Sequence, residues 1–108
     1  MKDSPEQQNK IPDTFYPFNL TTIYANVPPL PAVYSLIHML GNVWLYVADT
    51  DDVQTALVKH YQGDMPCIQK NFADYFSIEL VGSGIDLREA RKRQLLWAYN
   101  PICNRKQE

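Results

Sequence analysis

The chain has 108 residues, enough for one domain with one hydrophobic core and too few for two. Hydrophobic residues make up 45% and charged residues 20%, which is typical of a folded globular domain and excludes a disordered chain. The formal net charge of -2 excludes a strongly basic protein, and no stretch approaches the roughly 20 apolar residues of a membrane helix, so we expect no membrane partner.

Two segments precede the first clear strand. Residues 1–14 are polar, show no periodicity and lack the apolar stretch of a secretory signal, so we predict a flexible tail. Residues 15–31 mix aromatic and aliphatic side chains with prolines, a composition too apolar for a free tail and too rich in proline for a long helix. We expect a mostly extended lead-in packed over the domain, with a short edge strand near residues 21–26.

A β-hairpin is predicted next. Residues 32–40 and 43–49 are rich in β-branched and aromatic side chains, and only Gly41-Asn42 separates them. A two-residue link with glycine indicates a tight hairpin turn, because glycine supplies the positive φ that such turns require. Both runs are almost continuously apolar, which favours strands that are covered on both faces.

The second half of the chain predicts two helices around a third strand. Thr50 can cap the first helix, whose apolar residues recur at helical spacing and which ends at Gly63. We expect a loop over 64–70, a helical turn over 71–75 and a strand over 76–81, which a glycine-rich break at 82–84 ends. Asp86 and Glu89 have the spacing of a capping box and open a helix that continues to about residue 99.

This order predicts an α/β (α+β) fold. We expect a small three-layer sandwich in which helices flank a mainly antiparallel, three-stranded sheet. The domain would span residues 32–104, with a short tail at 105–108.

Charge is unevenly distributed along the chain. Residues 1–86 carry a net charge of -6, whereas residues 87–108 carry +4. The basic end is either a binding surface for a polyanion or the solvated face of a helix. If it is a binding surface, the nucleic-acid-binding residues are Lys59, Arg88, Arg91, Lys92 and Arg93.

The chain has only two cysteines. Two are too few for a disulfide framework, and neither a CxxC pair nor a Cys/His cluster indicates zinc. We therefore expect Cys67 and Cys103 to be buried or inert thiols in a reducing, cytoplasmic setting.

The hairpin carries two short motifs in a characteristic order. Residues 32–34 read Ala-Val-Tyr and residues 46–48 read Tyr-Val-Ala, about ten residues apart, and a Pro-x-x-Asn sequence follows the last helix at 101–104. This arrangement resembles the GIY-YIG nuclease superfamily over about residues 31–104. Each tripeptide is common, and the ordered set is considerably more specific. The resemblance implies the family's fold and a site at its conserved positions.

Some of those positions match the family and others do not. The matching catalytic positions are Tyr34, Tyr46, His60 and Asn104. Ala56 stands where the family has the Arg that steadies charge on the phosphate, and Lys92 stands near the Glu that binds a divalent cation. Cleavage needs a cation directed at the transferring phosphoryl group, so losing both residues removes that support.

The resemblance therefore implies a catalytically degenerate domain that binds DNA, RNA or a protein partner and needs no cofactor. In this interpretation the matching residues are vestigial, and each also has a plain structural role in packing, a helix surface or a turn. One alternative is an active endonuclease that uses Mg²⁺, with Glu89 as the metal ligand and Lys59 or Arg93 as the cation. Another is a protein-interaction module that uses residues 15–31.

Overall fold

The structure is a computed structural model. A four-stranded antiparallel sheet forms its middle layer. The strands are β1 (Tyr16–Pro17), β2 (Ala32–His38), β3 (Val43–Thr50) and β4 (Tyr75–Leu80), in the spatial order β1-β4-β2-β3. The helices are α1 (Leu20–Asn26), α2 (Val53–Tyr61), α3 (Pro66–Lys70) and α4 (Ile85–Tyr99). The predicted three-layer sandwich is confirmed. The sheet has a fourth strand because β1, from the lead-in, pairs with β4.

The structure describes residues 14–81 and 85–105. The predicted break at 82–84 lies outside these residues, as does nearly all of the tails predicted at 1–14 and 105–108. In the two described ranges, no helix combines the length and the apolar character that crossing a membrane requires.

Strand β2 is the central element, and its first six residues are all buried. Successive side chains of a strand point to opposite faces, so β2 contributes to two separate cores. The core under α1, α2 and α3 contains Ile23, Val27, Ala32, Tyr34, Leu36, Leu45, Val53, Leu57, Ile68, Phe76 and Cys103. The core under α4 contains Val33, Ile37, Trp44, Val47 and Leu95. The nearly continuous apolar sequence of the hairpin is thereby explained.

The hairpin contains a bulge in β3. Leu36 pairs with Tyr46 and Ile37 pairs with Trp44, so Leu45 is an extra residue with no partner in β2. The bulge lets Leu45 and Tyr46 face the same core, whereas Trp44 faces the other one.

The turn of the hairpin is longer than predicted. Strand β2 ends at His38, and the backbone N–H of Asn42 donates to the carbonyl of Met39 at 2.9 Å. Asn42, rather than Gly41, adopts the positive φ, at 53°. Asparagine tolerates this conformation because its short polar side chain lowers the energetic cost of a positive φ. The sequence therefore predicted a positive φ in the turn correctly but placed it at the wrong residue.

The lead-in is helical where a strand was predicted. The Asn19 side chain accepts a hydrogen bond from the backbone N–H of Thr22 at 2.8 Å and caps α1. The edge strand predicted over residues 21–26 is therefore wrong. The expected packing over the domain is confirmed, because Ile23 and Val27 are buried in the first core.

Four local predictions after β3 are also corrected. The N-cap of α2 is Asp52, whose carboxylate accepts from the backbone N–H of Thr55, while Thr50 bonds to the backbone of Asp52 itself. The predicted loop over 64–70 contains α3, and the predicted helical turn over 71–75 is irregular, with Phe72 at φ 61°. Helix α4 begins at Ile85, so Asp86 lies in its first turn and is not its cap.

The two cysteines form a disulfide, so the expectation of two thiols is wrong. Cys67 in α3 and Cys103 beyond α4 are 36 residues apart in sequence, and their Cα atoms are 5.8 Å apart. The bond joins the helical layer over the first core to the C-terminal segment. Sequence spacing alone gave no sign of this proximity.

Helix α4 is attached to the sheet by ion pairs as well as by Leu95. Arg91 donates through Nε and one terminal nitrogen to both carboxylate oxygens of Glu79, each at 2.8 Å. Two further pairs join Arg88 to Asp51 and Lys92 to Asp49. The polar character of α4 is thus compatible with a docked helix, because its cations reach carboxylates of the strands and of the loop after β3.

Matched arginines on α4 test this account. We expect Arg91→Ala to lower the free energy of unfolding by about 1.5–3 kcal/mol, because it removes a bidentate, largely buried charge-assisted interaction. Arg93→Ala is the control and should change it by no more than about 0.5 kcal/mol, since the Arg93 side chain is 68% exposed. Urea denaturation of the purified variants measures both values. Equal losses would contradict the docking role of Arg91.

Candidate functional site

A hydrogen-bonded chain of three side chains lies on the α2 face of the sheet. The Tyr34 hydroxyl is 2.7 Å from Nε2 of His60, and Nδ1 of His60 is 2.8 Å from the Asp64 carboxylate. Because a carboxylate only accepts, we assign the ring proton to Nδ1, so Nε2 of the neutral ring accepts from the Tyr34 hydroxyl. Tyr34 and His60 are both buried, whereas Asp64 is exposed.

Tyr46 lies against this chain. Its ring centroid is 6.3 Å from that of Tyr34 and 5.5 Å from that of His60. The register of the hairpin explains this contact, because Tyr34 pairs with Ala48 and Tyr46 is therefore the diagonal neighbour on the same face. Within the described part of the chain, the Tyr46 hydroxyl makes no hydrogen bond.

Both phenols are held in their neutral form. Burial raises the pKa of Tyr34 well above its ordinary value of about 10, and the negative charges of Asp64 and Asp49, together with Tyr46, raise it further. Burial is also the main cause of the raised pKa of Tyr46, followed by the same two carboxylates. At physiological pH these tyrosines can donate a proton in a hydrogen bond, but neither is a phenolate that could accept one.

Asn104 lies beside β3, next to the position of Tyr46, and its side chain binds the backbone of this strand. Its side-chain oxygen accepts from the backbone N–H of Val47 at 2.8 Å, and its amide nitrogen donates to the Val47 carbonyl at 2.9 Å. These two bonds occupy the outer edge of β3 beside Tyr46. The structure thus brings Tyr34, Tyr46 and His60 together and commits the Asn104 side chain to the backbone.

The two positions that depart from the family pattern lie on different faces of the sheet. Ala56 packs against the first core, near the tyrosines. Lys92 places its ammonium 3.1 Å from the Asp49 carboxylate. Asp49 pairs with Val33, so this ion pair lies on the α4 face. The resemblance implies a Glu near residue 92, whereas this chain has a lysine there that forms an ion pair with its own sheet.

Most of the predicted nucleic-acid-binding residues are paired with carboxylates. Arg88 is buried and donates to the Thr50 carbonyl and to Asp51, and Arg91 and Lys92 bind Glu79 and Asp49. Arg91 is therefore not an accessible cation, since its side chain is only 14% exposed.

The other two predicted cations are accessible. Lys59 is exposed on α2, and Arg93 is exposed on α4 with only a long contact of 3.9 Å to Glu89. Glu89 was the alternative metal ligand, and this contact places it on the exposed side of α4. In the ranges that the structure describes, no group of three or more His, Cys, Asp or Glu side chains is arranged to hold a metal ion.

Sequence analysis missed two carboxylates that affect the tyrosines: Asp64, which lies at the site, and Asp49, which lies on the α4 face. Asp64 follows His60 at i,i+4, a spacing that brings side chains together near a helix end and could have been recognised. Asp49 could not be assigned in this way, because its partner on α4 is distant in sequence. The two carboxylates raise the pKa of both tyrosines further, after burial, which is the largest cause.

No protein-family model matches this chain, and no curated protein is found as a relative. The GIY-YIG resemblance therefore stays a prediction from motif order and spacing.

The raised pKa of Tyr34 predicts a specific loss of stability in alkali. Below pH 10 the phenol is neutral in both states, but above it the unfolded chain ionises first, so the stability that Tyr34 contributes is lost as pH rises. We expect wild-type stability to fall more steeply than that of Tyr34→Phe above pH 10, by up to about 1.4 kcal/mol per pH unit. Urea denaturation between pH 8 and about pH 11.5 measures the slopes. Tyr24→Phe, which alters an exposed tyrosine, is the control, and equal slopes for wild type and Tyr34→Phe would contradict the assignment.

Proposed function

We propose that this chain is a GIY-YIG-like domain that does not cleave nucleic acid and serves as a binding domain. The Lys92–Asp49 ion pair carries the proposal. Near the position where the family has a metal-binding Glu, the ammonium of Lys92 lies 3.1 Å from a carboxylate. An ammonium beside Asp49 neutralises the charge that would attract a divalent cation and repels a second cation. The residues present therefore do not fit the family's metal.

The tyrosine chain supports the same conclusion. A general base must accept a proton from the attacking water, and its pKa should lie near the working pH. The Tyr34 hydroxyl instead donates to His60, and burial raises its pKa. The geometry is that of a satisfied internal network.

The missing phosphate-binding cation is the third support. Ala56 offers no charge, and the α4 cations Arg88 and Lys92 are each bound to an aspartate. One preorganised electrostatic donor is worth about 3–4 kcal/mol, or roughly 10²–10³ in rate. A site that lacks the Arg and the metal together would retain little measurable turnover.

For the partner, the charges and the exposed surface favour a protein over nucleic acid. Three of the five predicted phosphate-binding cations are neutralised internally. Trp97 is 89% exposed on the outer face of α4, one turn after the exposed Arg93. Trp and Arg are the residue types most enriched at the energetic centres of protein interfaces. The segment 15–31 is a weaker candidate, because its large exposed apolar side chains are limited to Tyr24 and Leu30.

The proposal includes a cytoplasmic location, on the condition that the disulfide is not permanent there. Disulfides persist in oxidising compartments and are rare where cellular reductants keep thiols reduced. In the cytoplasm the Cys67–Cys103 bond would therefore be a transient or regulated bond.

The absence of cleavage is testable with supercoiled plasmid. We expect no nicking above background with Mg²⁺ or Mn²⁺. Ala56→Arg together with Lys92→Glu would be needed for recovery but would not be sufficient, because residues 56 and 92 lie on different faces of the sheet. Lys92→Glu alone should allow Mn²⁺ to raise the melting temperature by a few degrees, since it places a second carboxylate beside Asp49. Wild type and Lys92→Met, which only removes the charge, should show no such shift. Nicking by wild type that Glu89→Ala abolishes would establish the active-enzyme alternative.

The partner class is tested by mobility shift with DNA and RNA at two salt concentrations. Lys59 and Arg93 offer at most about two phosphate contacts, so binding should be weak, with a salt slope no steeper than about -1.8 on duplex DNA. We expect no complex at about 150 mM salt. A complex at that salt that Arg93→Gln weakens, while Trp97→Ala does not, would favour nucleic acid over a protein partner.

A further inference from the structure

The two sulfurs of the disulfide differ in accessibility. We propose that Cys67 is the site at which an external dithiol enters the bond. Opening the bond then releases residues 101–104, here called the C-terminal clasp, from the outer edge of β3. This inference is independent of the proposed function, because it uses only the disulfide and the hydrogen bonds that it secures.

Burial distinguishes the two cysteines. Cys103 is 1% exposed and lies in the first core. Cys67 is half-buried and lines an open cleft of about 990 Å³, together with Lys70 and Phe72. Thiol–disulfide exchange requires the attacking thiolate to reach one sulfur along the S–S axis, so access selects Cys67.

The surroundings of Cys67 also suit exchange. The side-chain amide of Asn71 lies 3.6 Å from the Cys67 sulfur and can donate a weak hydrogen bond to it. Lys70, which lines the same cleft, adds a positive charge. A positive and hydrogen-bonding environment favours the thiolate form of a cysteine, so it helps the mixed disulfide to expel Cys67 in the second step of the exchange.

The clasp occupies the backbone edge of β3. The N–H of Ile102 donates to the Trp44 carbonyl at 3.2 Å, and the N–H of Cys103 donates to the Leu45 carbonyl at 2.7 Å. Asn104 then binds both backbone groups of Val47. An edge strand without such a cover presents unpaired backbone groups to other chains, so the clasp protects this edge.

The disulfide is reduced in two successive exchange steps. A thiolate of the dithiol attacks the Cys67 sulfur, which forms a mixed disulfide and expels Cys103 as a thiolate that takes up a proton. The second thiolate of the reductant attacks its own bound sulfur, expels Cys67 and closes a cyclic disulfide. The reductant is oxidised by two electrons, and the protein disulfide is reduced by two. The clasp then loses its covalent attachment to α3, so its hydrogen bonds to β3 open more readily and the clasp is released from the edge.

Matched single-cysteine variants test the entry point. We expect the Cys67 thiol in Cys103→Ser to react with iodoacetamide at least about tenfold faster than the Cys103 thiol in Cys67→Ser, because only Cys67 faces the cleft. In the unaltered protein, glutathione should form its first mixed disulfide on Cys67, as located by peptide mass spectrometry, so the test does not depend on how either variant folds. Preferential modification of Cys103 would overturn the proposal.

Amide hydrogen exchange tests the release of the clasp. On reduction we expect the amides of Ile102, Cys103 and Val47 to exchange at least about tenfold faster, while the amides of β2 stay protected. Asn104→Ala in the oxidised protein is the matched control and should expose Val47 alone. Unchanged protection of the clasp after reduction would overturn the proposal. Simultaneous loss of protection in β2 would overturn it as well, because the bond would then be only a global stabiliser.

Discussion

The register between β2 and β3 is the constraint on which the other features depend. Strand β2 is buried on both faces, so a slip by one residue would move Tyr34 into the core under α4 and Val33 into the core under α2. The extra residue at Leu45 fixes the alignment, because it separates the faces of Trp44 and Tyr46. Three features follow from this pairing: the contact between the two tyrosines, the stacking of Trp44 on Tyr99 of α4 with ring centroids 3.8 Å apart, and the course of the β3 edge.

Electrostatic complementarity within the chain explains the uneven charge of the sequence. The basic residues of α4 form ion pairs with carboxylates on the sheet and with Asp51 after β3. The positive and negative charges therefore neutralise each other when the helix docks. A buried guanidinium such as that of Arg88 requires a partner, since an unpaired buried charge is costly. A charge-rich helix can therefore dock with few apolar residues, and its basic composition does not by itself make it a surface for polyanions.

The fold class, the hairpin and α2 could be predicted because their signals are local: β-branched runs, a turn and a helical stripe. The helix at α1 was missed because the prolines around it outweighed the cap at Asn19, which stabilises the helix by a side-chain hydrogen bond. The contact of Tyr34 with His60 followed from motif order and spacing. The disulfide of Cys67 with Cys103 did not, because it depends on the packing of α3 against the C-terminal segment, 36 residues away.

Strand β3 contributes Tyr46 to the site and also binds the C-terminal clasp, and this shared position limits what each of them can do. In β3, Tyr46 contacts the His60 network, Asp49 holds Lys92, and Val47 is bound by Asn104. A nuclease would need unpaired charges and an accessible base here, and unpaired charges lower the stability of a folded state. In this chain the charge of Asp49 is paired with Lys92, and the backbone groups of Val47 are bound by Asn104. In the proposed function the strand is a structural element, and the surfaces available for recognition include the outer face of α4 and, once the disulfide is open, the edge of β3.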